Sequence, residues 1–94
     1  MTMALAFEWN PEKAASNLMD HGVSFPVATW VFDDPHSIDR EDDREDYGEE
    51  RRVIVGLVGD VELAVAYTWR GDSVRLISAR RATPNETRRY WKNR

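Results

Sequence analysis

The sequence of 94 residues contains no cysteine. Disulfide bridges and thiolate metal sites are therefore excluded, and a cytosolic setting is the simplest interpretation. No apolar run approaches the ~18 residues that a transmembrane helix needs. The opening stretch "MTMALAF" has neither the basic start nor the apolar length of a signal peptide, so we expect it to be mature chain.

Motifs that bind metals or nucleotides are also missing. The chain has no HExxH motif, no clustered set of carboxylates and histidines, and no glycine-rich phosphate loop. We therefore expect no metal and no other cofactor. If the protein handles phosphate, arginine is the natural residue, because its planar guanidinium matches phosphate oxygens.

Charge is segregated along the chain, although the net charge is only -4. Residues 1–50 hold three basic and thirteen acidic side chains, whereas residues 70–94 hold eight basic and two acidic ones. The local field, and not the net charge, determines what binds at each end. The last quarter of the chain is thus the expected anion-binding part.

The first third of the chain predicts a short strand and two helices. An apolar stretch precedes Asn10, which is suited to capping a helix that begins at Pro11, and Gly22 is suited to ending it after His21. A second helix is expected after Ser24 and should end at Asp34, because the residue before a proline avoids helical angles.

An acidic segment follows, from residue 39 to residue 50, with eight acids and two arginines. It has almost no apolar periodicity, so we expect a mobile, solvated loop, with a strand around residues 37–40 before it. A sharper hypothesis is that the loop shields the basic surface of the same molecule.

Period-two alternation then predicts three strands in "RRVIVGLV", "VELAVAYTW" and "SVRLISARR", joined by tight turns into an antiparallel meander. Thr83, Pro84 and Glu86 form a capping-box pattern that predicts a terminal helix. The expected fold is therefore α+β: a single domain, residues 1–94, with helices on a twisted antiparallel sheet.

Several stretches, in this order, resemble the BrnT family of bacterial toxins: "FEWNPEKAASNLMDHGVSF", "VFDDP", "GEER", "AYTWRGD", "RLISARRAT" and "RRYW". The family belongs to type II toxin–antitoxin modules and is similar in fold to RelE-type ribonucleases. The resemblance runs from Phe7 to about Trp91.

The resemblance implies a metal-independent ribonuclease that cleaves RNA and blocks translation in the cytoplasm. It also implies a cognate ribbon-helix-helix antitoxin, BrnA-like, that neutralises the toxin and represses the shared operon. A heterotetramer of two toxins on an antitoxin dimer is expected. DNA would be contacted only through the antitoxin, and no membrane is involved.

Arginines of the third predicted strand are the first catalytic candidates. The resemblance favours Arg80 for stabilising charge on the phosphate, followed by Arg75 and Arg70. Ideal alternation puts Arg75 and Arg80 on opposite faces, and Arg75 with Arg81 on one face, unless a bulge near Ala79 changes this. The alternative for Arg75 is a solvated cross-strand partner of Glu62 or of the acidic loop.

Acid–base candidates lie elsewhere in the chain. His21 titrates in the right range, but a histidine at a helix end also interacts favourably with the helix dipole. Lys13 lies two turns earlier near the same helix face, where both could flank a phosphate or Lys13 could simply face solvent. Glu50 could act as a base or pair with Arg52.

The candidates for RNA binding are cations of the last strand and terminal helix: Arg81, Arg88, Arg89 and Lys92. Tyr90 and Trp91 between them could stack on bases, while at least one should anchor the helix to the sheet. The same helix could be the docking surface for the antitoxin.

Two alternatives stay open. A degenerate toxin would bind RNA or its antitoxin without catalysis, and the lack of an obvious histidine base near the predicted sheet favours that interpretation. A DNA-binding repressor is disfavoured, since no recognition helix with its flanking turn is evident.

Overall fold

The computed structural model describes residues 5–42 and 48–93. Its strands are β1 Ala6–Glu8, β2 Ile38–Glu41, β3 Arg52–Val58, β4 Val61–Arg70 and β5 Ser73–Arg81. Its helices are α1 Pro11–His21, α2 Phe25–Ala28, a 3₁₀ helix Thr29–Asp33 and α3 Pro84–Lys92. The predicted α+β class is confirmed.

Local capping explains where α1 and α3 begin. The Asn10 side chain accepts the backbone N–H of Glu12 at 2.8 Å and that of Lys13 at 3.3 Å, and Gly22 ends α1 with φ 69°. At α3, Thr83 and Glu86 form the predicted capping box. Both predicted boundaries are confirmed.

The second predicted helix is only partly confirmed. Ser24 caps it as expected, but the α-helix ends at Ala28 and the chain continues as a 3₁₀ helix to Asp33. The Thr29 hydroxyl donates to the Pro26 carbonyl at 2.6 Å, three residues back, where the winding tightens. The sequence pattern alone did not reveal this change of helix type.

The sheet is mixed, and the fully antiparallel prediction is wrong in this respect. The strand order is β1-β5-β4-β3-β2, with antiparallel pairs except between β1 and β5, which run parallel. The three-strand meander is confirmed. Strand β1 lies far from β5 in sequence, so no hairpin turn fixes their relative direction.

A bulge in β5 decides which arginines share a face. Ala66 pairs with Ser78 but the next residue, Tyr67, pairs with Leu76, so Ile77 has no partner on β4. One extra residue reverses the alternation that follows it. Arg75 and Arg80 therefore lie on the same face, and Arg81 lies on the other.

Each face of the sheet carries its own core. The first face packs against α1, α2 and the 3₁₀ helix, with Phe25, Val31, Val65, Val74, Leu76 and Ala79 fully or almost fully buried. The second face packs against α3, with Val53, Val55, Ala64 and Tyr90 buried. Because α3 covers only part of the second face, the rest of that face stays open to binding partners.

Asn17 joins α1 to the edge of β5. Its side-chain amide donates to the carbonyls of Val23 at 2.9 Å and Ala79 at 2.8 Å, and its oxygen accepts the Ala79 N–H at 3.0 Å. Strand β1 pairs with β5 only as far as Arg75, so Asn17 satisfies backbone groups that a longer β1 would have bonded. This buried contact fixes α1 against the sheet.

Asp34 connects the two helical layers. Its Oδ2 accepts the Leu57 N–H at 2.8 Å and the Tyr90 hydroxyl at 2.5 Å. Burial alone would raise the pKa of Asp34, but the hydrogen bonds from Tyr90, Leu57 and His36 hold that pKa below its ordinary value. The end of the 3₁₀ helix is thereby tied to β3 and α3.

The acidic segment differs from the predicted loop at its start. The strand expected around residues 37–40 is present as β2, which extends to Glu41 and pairs with β3. Residues 43–47, including Tyr47, lie outside the described residues. No helix among residues 5–42 and 48–93 is long and apolar enough to cross a membrane.

Candidate functional site

A small pocket at one end of the second face brings together three of the predicted catalytic residues. We call it the cationic pocket, and its volume is 170 Å³. Its lining residues are Asn10, Lys13, Glu49, Arg51, Thr68, Arg70, Arg75, Leu76 and Ile77. Four cationic side chains and one carboxylate thus surround a space suited to an anion.

Three elements position these side chains. Lys13 lies one helical turn before Asn17, so the contact of Asn17 with Ala79 also directs Lys13 toward the pocket. The N-terminus of α1, capped by Asn10, adds the positive end of a helix dipole. The unpaired Ile77 of the β5 bulge lies in the wall.

Arg70 and Arg75 are held only loosely. Arg70 Nη2 lies 3.7 Å from Glu49 Oε1, and Arg75 Nη1 lies 3.6 Å from Glu8 Oε1. Both distances exceed those of a strong charged hydrogen bond, and exposed pairs of this kind contribute little to stability. An incoming phosphate can therefore replace these carboxylates. Among the described residues, Arg75 pairs with Glu8 of β1 and not with Glu62, one of the two alternative partners considered from the sequence.

Glu49 and Arg51 are the two charged residues of the pocket lining that were not among the candidates from the sequence. The Thr68 hydroxyl donates to the Glu50 carbonyl at 2.6 Å, which fixes the backbone beside Glu49. The Glu49 Oε2 lies 3.7 Å from Arg51 Nε. Of the two glutamates in "GEER", only Glu49 lines the pocket, and the signal that was available is its position two residues before Arg51.

Glu50 points to a different cluster. It accepts from Arg52 Nη1 at 3.0 Å, the structural alternative that the sequence had left open. Arg52 Nε also donates to Asp39 at 2.5 Å, and the Tyr67 hydroxyl donates to the same carboxylate. Burial and the adjacent Asp39 raise the pKa of Tyr67 above its ordinary value.

Arg80, the first candidate from the resemblance, lies outside the cationic pocket. Its guanidinium donates twice to Glu86, at 2.7 and 3.1 Å, and Arg40 lies 3.5 Å from the same carboxylate. Burial would raise the pKa of Glu86, but the hydrogen bonds from Arg80 and Thr83 lower it to about 2. This geometry favours a bracing role for Arg80 beneath α3.

A larger cleft lies beside the ion pair of Arg80 and Glu86, between α3 and strands β2 and β3. We call it the α3 cleft, and its volume is 580 Å³. Its lining residues are Ile38, Asp39, Arg40, Val53, Val55, Arg80, Thr83, Asn85, Glu86, Arg89 and Asn93. It opens on the same face as the cationic pocket but is less basic, because Glu86 faces two of its three arginines, Arg40 and Arg80.

His21 and Arg81 lie together in a third depression, on the first face, that Leu18, Val27 and Leu63 also line. Lys13 is absent from that depression and lines the cationic pocket instead. The structure therefore does not bring His21 and Lys13 together at one site. Eight residues of α-helix span about 12 Å, which separates the two side chains despite their similar orientation.

The cations of α3 differ in their surroundings. Arg89 lines the α3 cleft, whereas Arg88 and Lys92 are exposed and line neither this cleft nor the cationic pocket. Tyr90 is fully buried and anchors α3, as expected for at least one of the two aromatic residues. Trp91 is 46% exposed, and its indole N–H donates to Glu62 at 2.9 Å.

Among residues 5–42 and 48–93, no group of three or more histidine, aspartate or glutamate side chains is arranged to hold a metal ion. Residues 9–86 match the family model described as "Ribonuclease toxin, BrnT, of type II toxin-antitoxin system". No curated protein matches the chain. The family match covers α1, the whole of β2 to β5 and the start of α3.

Proposed function

The chain belongs to the BrnT family of ribonuclease toxins from type II toxin–antitoxin systems, and we propose that it cleaves RNA in the cationic pocket without a metal ion. Its target is RNA, and its partner is a protein antitoxin, as the type II system implies. The observation that carries the proposed site is the convergence of Lys13, Arg70 and Arg75 around the single carboxylate of Glu49.

These groups can supply the three functions that RNA cleavage needs. Glu49 takes the proton from a ribose 2′-hydroxyl, whose oxygen then attacks the adjacent phosphorus. Arg70 and Arg75 stabilise the charge that develops on the phosphate oxygens. The bond from phosphorus to the 5′-oxygen breaks, and Lys13 donates a proton to that oxygen. The products are a 2′,3′-cyclic phosphate and a 5′-hydroxyl.

The strength of the ion pairs favours this pocket over the larger α3 cleft as the phosphate site. Arg80 is held by Glu86 at hydrogen-bonding distance, and freeing it would deprive a largely buried carboxylate of its main cationic partner. Arg70 and Arg75 lie 3.6 to 3.7 Å from exposed or half-exposed carboxylates. A phosphate can therefore engage them at low cost.

Glu49 also supports the hypothesis that the acidic segment shields the basic surface of the same molecule. Its carboxylate lies against Arg51 and Arg70 in the same pocket that would receive the phosphate. The end of the acidic segment thus occupies part of the anion site in the absence of RNA. Neutralising Glu49 should tighten RNA binding at low salt even as it slows cleavage.

Cleavage of RNA by antitoxin-free protein in EDTA tests the proposal. We expect Arg75→Ala to lower the cleavage rate by about a hundredfold or more, since it removes a charge from the phosphate site. Arg88→Ala is the matched control, because it removes the same charge from an exposed position that lines neither cleft. Equal rates for both variants, or cleavage by the wild type only when a divalent metal is added, would contradict the proposal.

A non-catalytic toxin that only binds RNA or antitoxin is the second candidate, favoured by the absence of histidine from the pocket lining. Growth arrest on expression, relieved by the product of the neighbouring gene, separates the two. A clean preparation that neither arrests growth nor cleaves RNA, yet co-purifies with that product, would favour the second candidate.

The finer expectations of the resemblance form part of the proposal. They are inhibition of translation in the cytoplasm, a RelE-like arrangement, and a ribbon-helix-helix antitoxin that contacts DNA and assembles with the toxin as a heterotetramer. The charged second face supports an antitoxin that covers the RNA site. The mass of the purified complex and a test of whether RNA competes with the antitoxin check these points.

A further inference from the structure

We propose that the α3 cleft binds a nucleobase of the same RNA strand whose phosphate enters the cationic pocket. The inference rests on the proposed function, because it assumes that RNA lies along the second face. Nothing in the family match assigns a role to this cleft.

The two sites lie on one continuous strip of sheet. On β4, Thr68 pairs with Arg75 at the cationic pocket, and Ala64 pairs with Arg80 at the α3 cleft. Four residues of strand separate the two positions by about 13 Å. Between them the second face carries the small side chains of Ala66 and Ser78. A single RNA strand can therefore lie across this strip without meeting a large side chain.

The cleft exists because α3 contacts the sheet at two separate points. Tyr90 is buried in the second-face core, and Glu86 is braced by Arg80. The helix between and around these contacts is exposed at Asn85, Arg89 and Asn93, which line the cleft rim. A gap therefore remains between the helix and the adjacent strands, β2 and β3.

The floor and the rim of the gap are suited to contacting the two flat faces of a base. Ile38, Val53 and Val55 provide an apolar floor for a flat ring. Arg89 at the rim offers a guanidinium plane, on which RNA-binding proteins commonly stack bases. The volume of 580 Å³ lies within the range typical of small-ligand sites, about 300–1,000 Å³.

Two asparagines at the rim offer one hydrogen-bond acceptor and one hydrogen-bond donor to the edge of a base. Asn93 donates its side-chain amide to the Arg89 carbonyl at 2.7 Å, which leaves its oxygen as an acceptor. Asn85 accepts from Arg88 at 3.3 Å, which leaves its amide as a donor. One donor and one acceptor at the mouth of an apolar gap suit the polar edge of a base.

The charges in the cleft favour a base over a second phosphate. Arg80 and Arg40 both face Glu86, so their charge is largely offset inside the cleft. Arg89 makes no ion pair among the described residues, but it stands at the rim. A neutral ring with a polar edge therefore fits this environment better than a dianionic or monoanionic phosphate, which the cationic pocket suits.

Binding of short oligonucleotides tests the inference. We would use fluorescently labelled RNA pentamers that carry 2′-O-methyl groups throughout, because a methylated 2′-oxygen has no proton to lose and cannot attack. In a series of such pentamers, one base at a time is replaced by an abasic sugar. Fluorescence anisotropy then measures how much each base contributes, while the number of phosphates stays constant.

For the wild type we expect one abasic position to weaken binding by about tenfold, as stacking of a single base on a protein surface commonly does. In the double variant Arg89→Ala/Asn93→Ala the same abasic position should cost less than about twofold. Lys92→Ala should keep the tenfold effect, since it removes a neighbouring exposed charge that lines neither the cleft nor the cationic pocket. Because these side chains are exposed, circular dichroism should show an unchanged fold.

An abasic effect of the same size in the wild type and the double variant would overturn the inference. So would a double variant that loses affinity only for a protein antitoxin, since the cleft would then hold a protein side chain. Failure of the proposed function looks different: the base effect would persist, but unmodified RNA would remain uncleaved. Normal cleavage without any base effect at the cleft would overturn this inference alone.

Discussion

Glu86 and Arg80 form a paired contact in which both carboxylate oxygens of Glu86 meet the guanidinium of Arg80, at 2.7 and 3.1 Å. The same carboxylate accepts the Thr83 N–H at 2.9 Å, which closes the capping box of α3. One side chain therefore starts the helix and fastens it to β5. Arg80, which the resemblance made the first catalytic candidate, thus holds α3 against the sheet through this contact.

Glu86→Gln should destabilise the protein by about 2 kcal/mol at pH 7, because the charged hydrogen bonds to Arg80 are weakened. The folded-state pKa of Glu86 is about 2, below the value of 4.5 for the unperturbed group. The charged carboxylate of Glu86 therefore contributes fully to the free energy of unfolding above pH 4.5, and this contribution is lost as the pH falls toward 2. Urea unfolding of both proteins from pH 7 to pH 2 measures this.

The difference in unfolding free energy between wild type and Glu86→Gln should accordingly shrink across that acidic interval. Asp20→Asn is the control, because Asp20 is exposed on α1. A difference between wild type and Glu86→Gln that stays constant down to pH 2 would show that the carboxylate charge does not stabilise the fold.

Arg80→Ala and Arg75→Ala should separate stability from catalysis. Arg80→Ala should lower the unfolding free energy by about 2–3 kcal/mol, because Glu86 loses its main partner. Arg75→Ala should change stability by less than about 1 kcal/mol, since its pair with Glu8 is long and exposed. Urea unfolding and RNA cleavage are measured on the same preparations. A stable but inactive Arg80→Ala variant would contradict the bracing role.

Glu49→Gln should slow RNA cleavage by about a hundredfold or more, the usual contribution of a general base. Glu50→Gln, one residue later, should leave the rate within about threefold, because Glu50 faces Arg52. Single-turnover rates across a pH series compare the two. A Glu49→Gln variant that cleaves as fast as Glu50→Gln would assign the role of the base to another group.

Asn17→Leu should destabilise the fold by about 3 kcal/mol or more. The substitution removes three hydrogen bonds and leaves the Ala79 N–H and two carbonyls buried without partners. Ser16→Leu, at the exposed adjacent position, adds a similar apolar side chain without this loss. Urea unfolding compares the two variants. Similar stabilities would show that Asn17 does not hold α1 in place.

Gly56→Ala should destabilise the protein by about 1–3 kcal/mol through overpacking. A Cβ atom at this position would lie 3.0 Å from Val31 Cγ1 and 3.3 Å from Asp34 Oδ2. The contact would push the 3₁₀ helix away from β3 and disturb the hydrogen bonds of Asp34. Thermal unfolding measures the loss. An unchanged midpoint would mean that the 3₁₀ helix adapts freely.

Local features were predictable because the residues that determine them are close in sequence. Asn10 and Gly22 bracket α1, and Thr83 with Glu86 starts α3, each through contacts within four residues. The meander followed from alternation and short turns. The charge division between the acidic half and the basic end also required nothing beyond the composition.

Relations between distant residues could not be predicted in the same way. The parallel pairing of β1 with β5 joins segments more than 60 residues apart, and no local pattern encodes its direction. Ideal alternation placed Arg75 and Arg80 on opposite faces, and the bulge at Ile77 reversed this. The choice between Glu49 and Glu50 likewise depended on the hydrogen bond from Thr68 to the intervening backbone.

The sequence by itself thus determined the class of fold, both ends of α1, the start of α3, the family and the supply of arginines at the C-terminal end. The tertiary structure alone decided how closely each arginine is paired with a carboxylate. Arg80 meets a largely buried carboxylate at hydrogen-bonding distance, whereas Arg75 meets an exposed one at 3.6 Å. Burial and distance set the strength of an ion pair, and both depend on how remote segments pack.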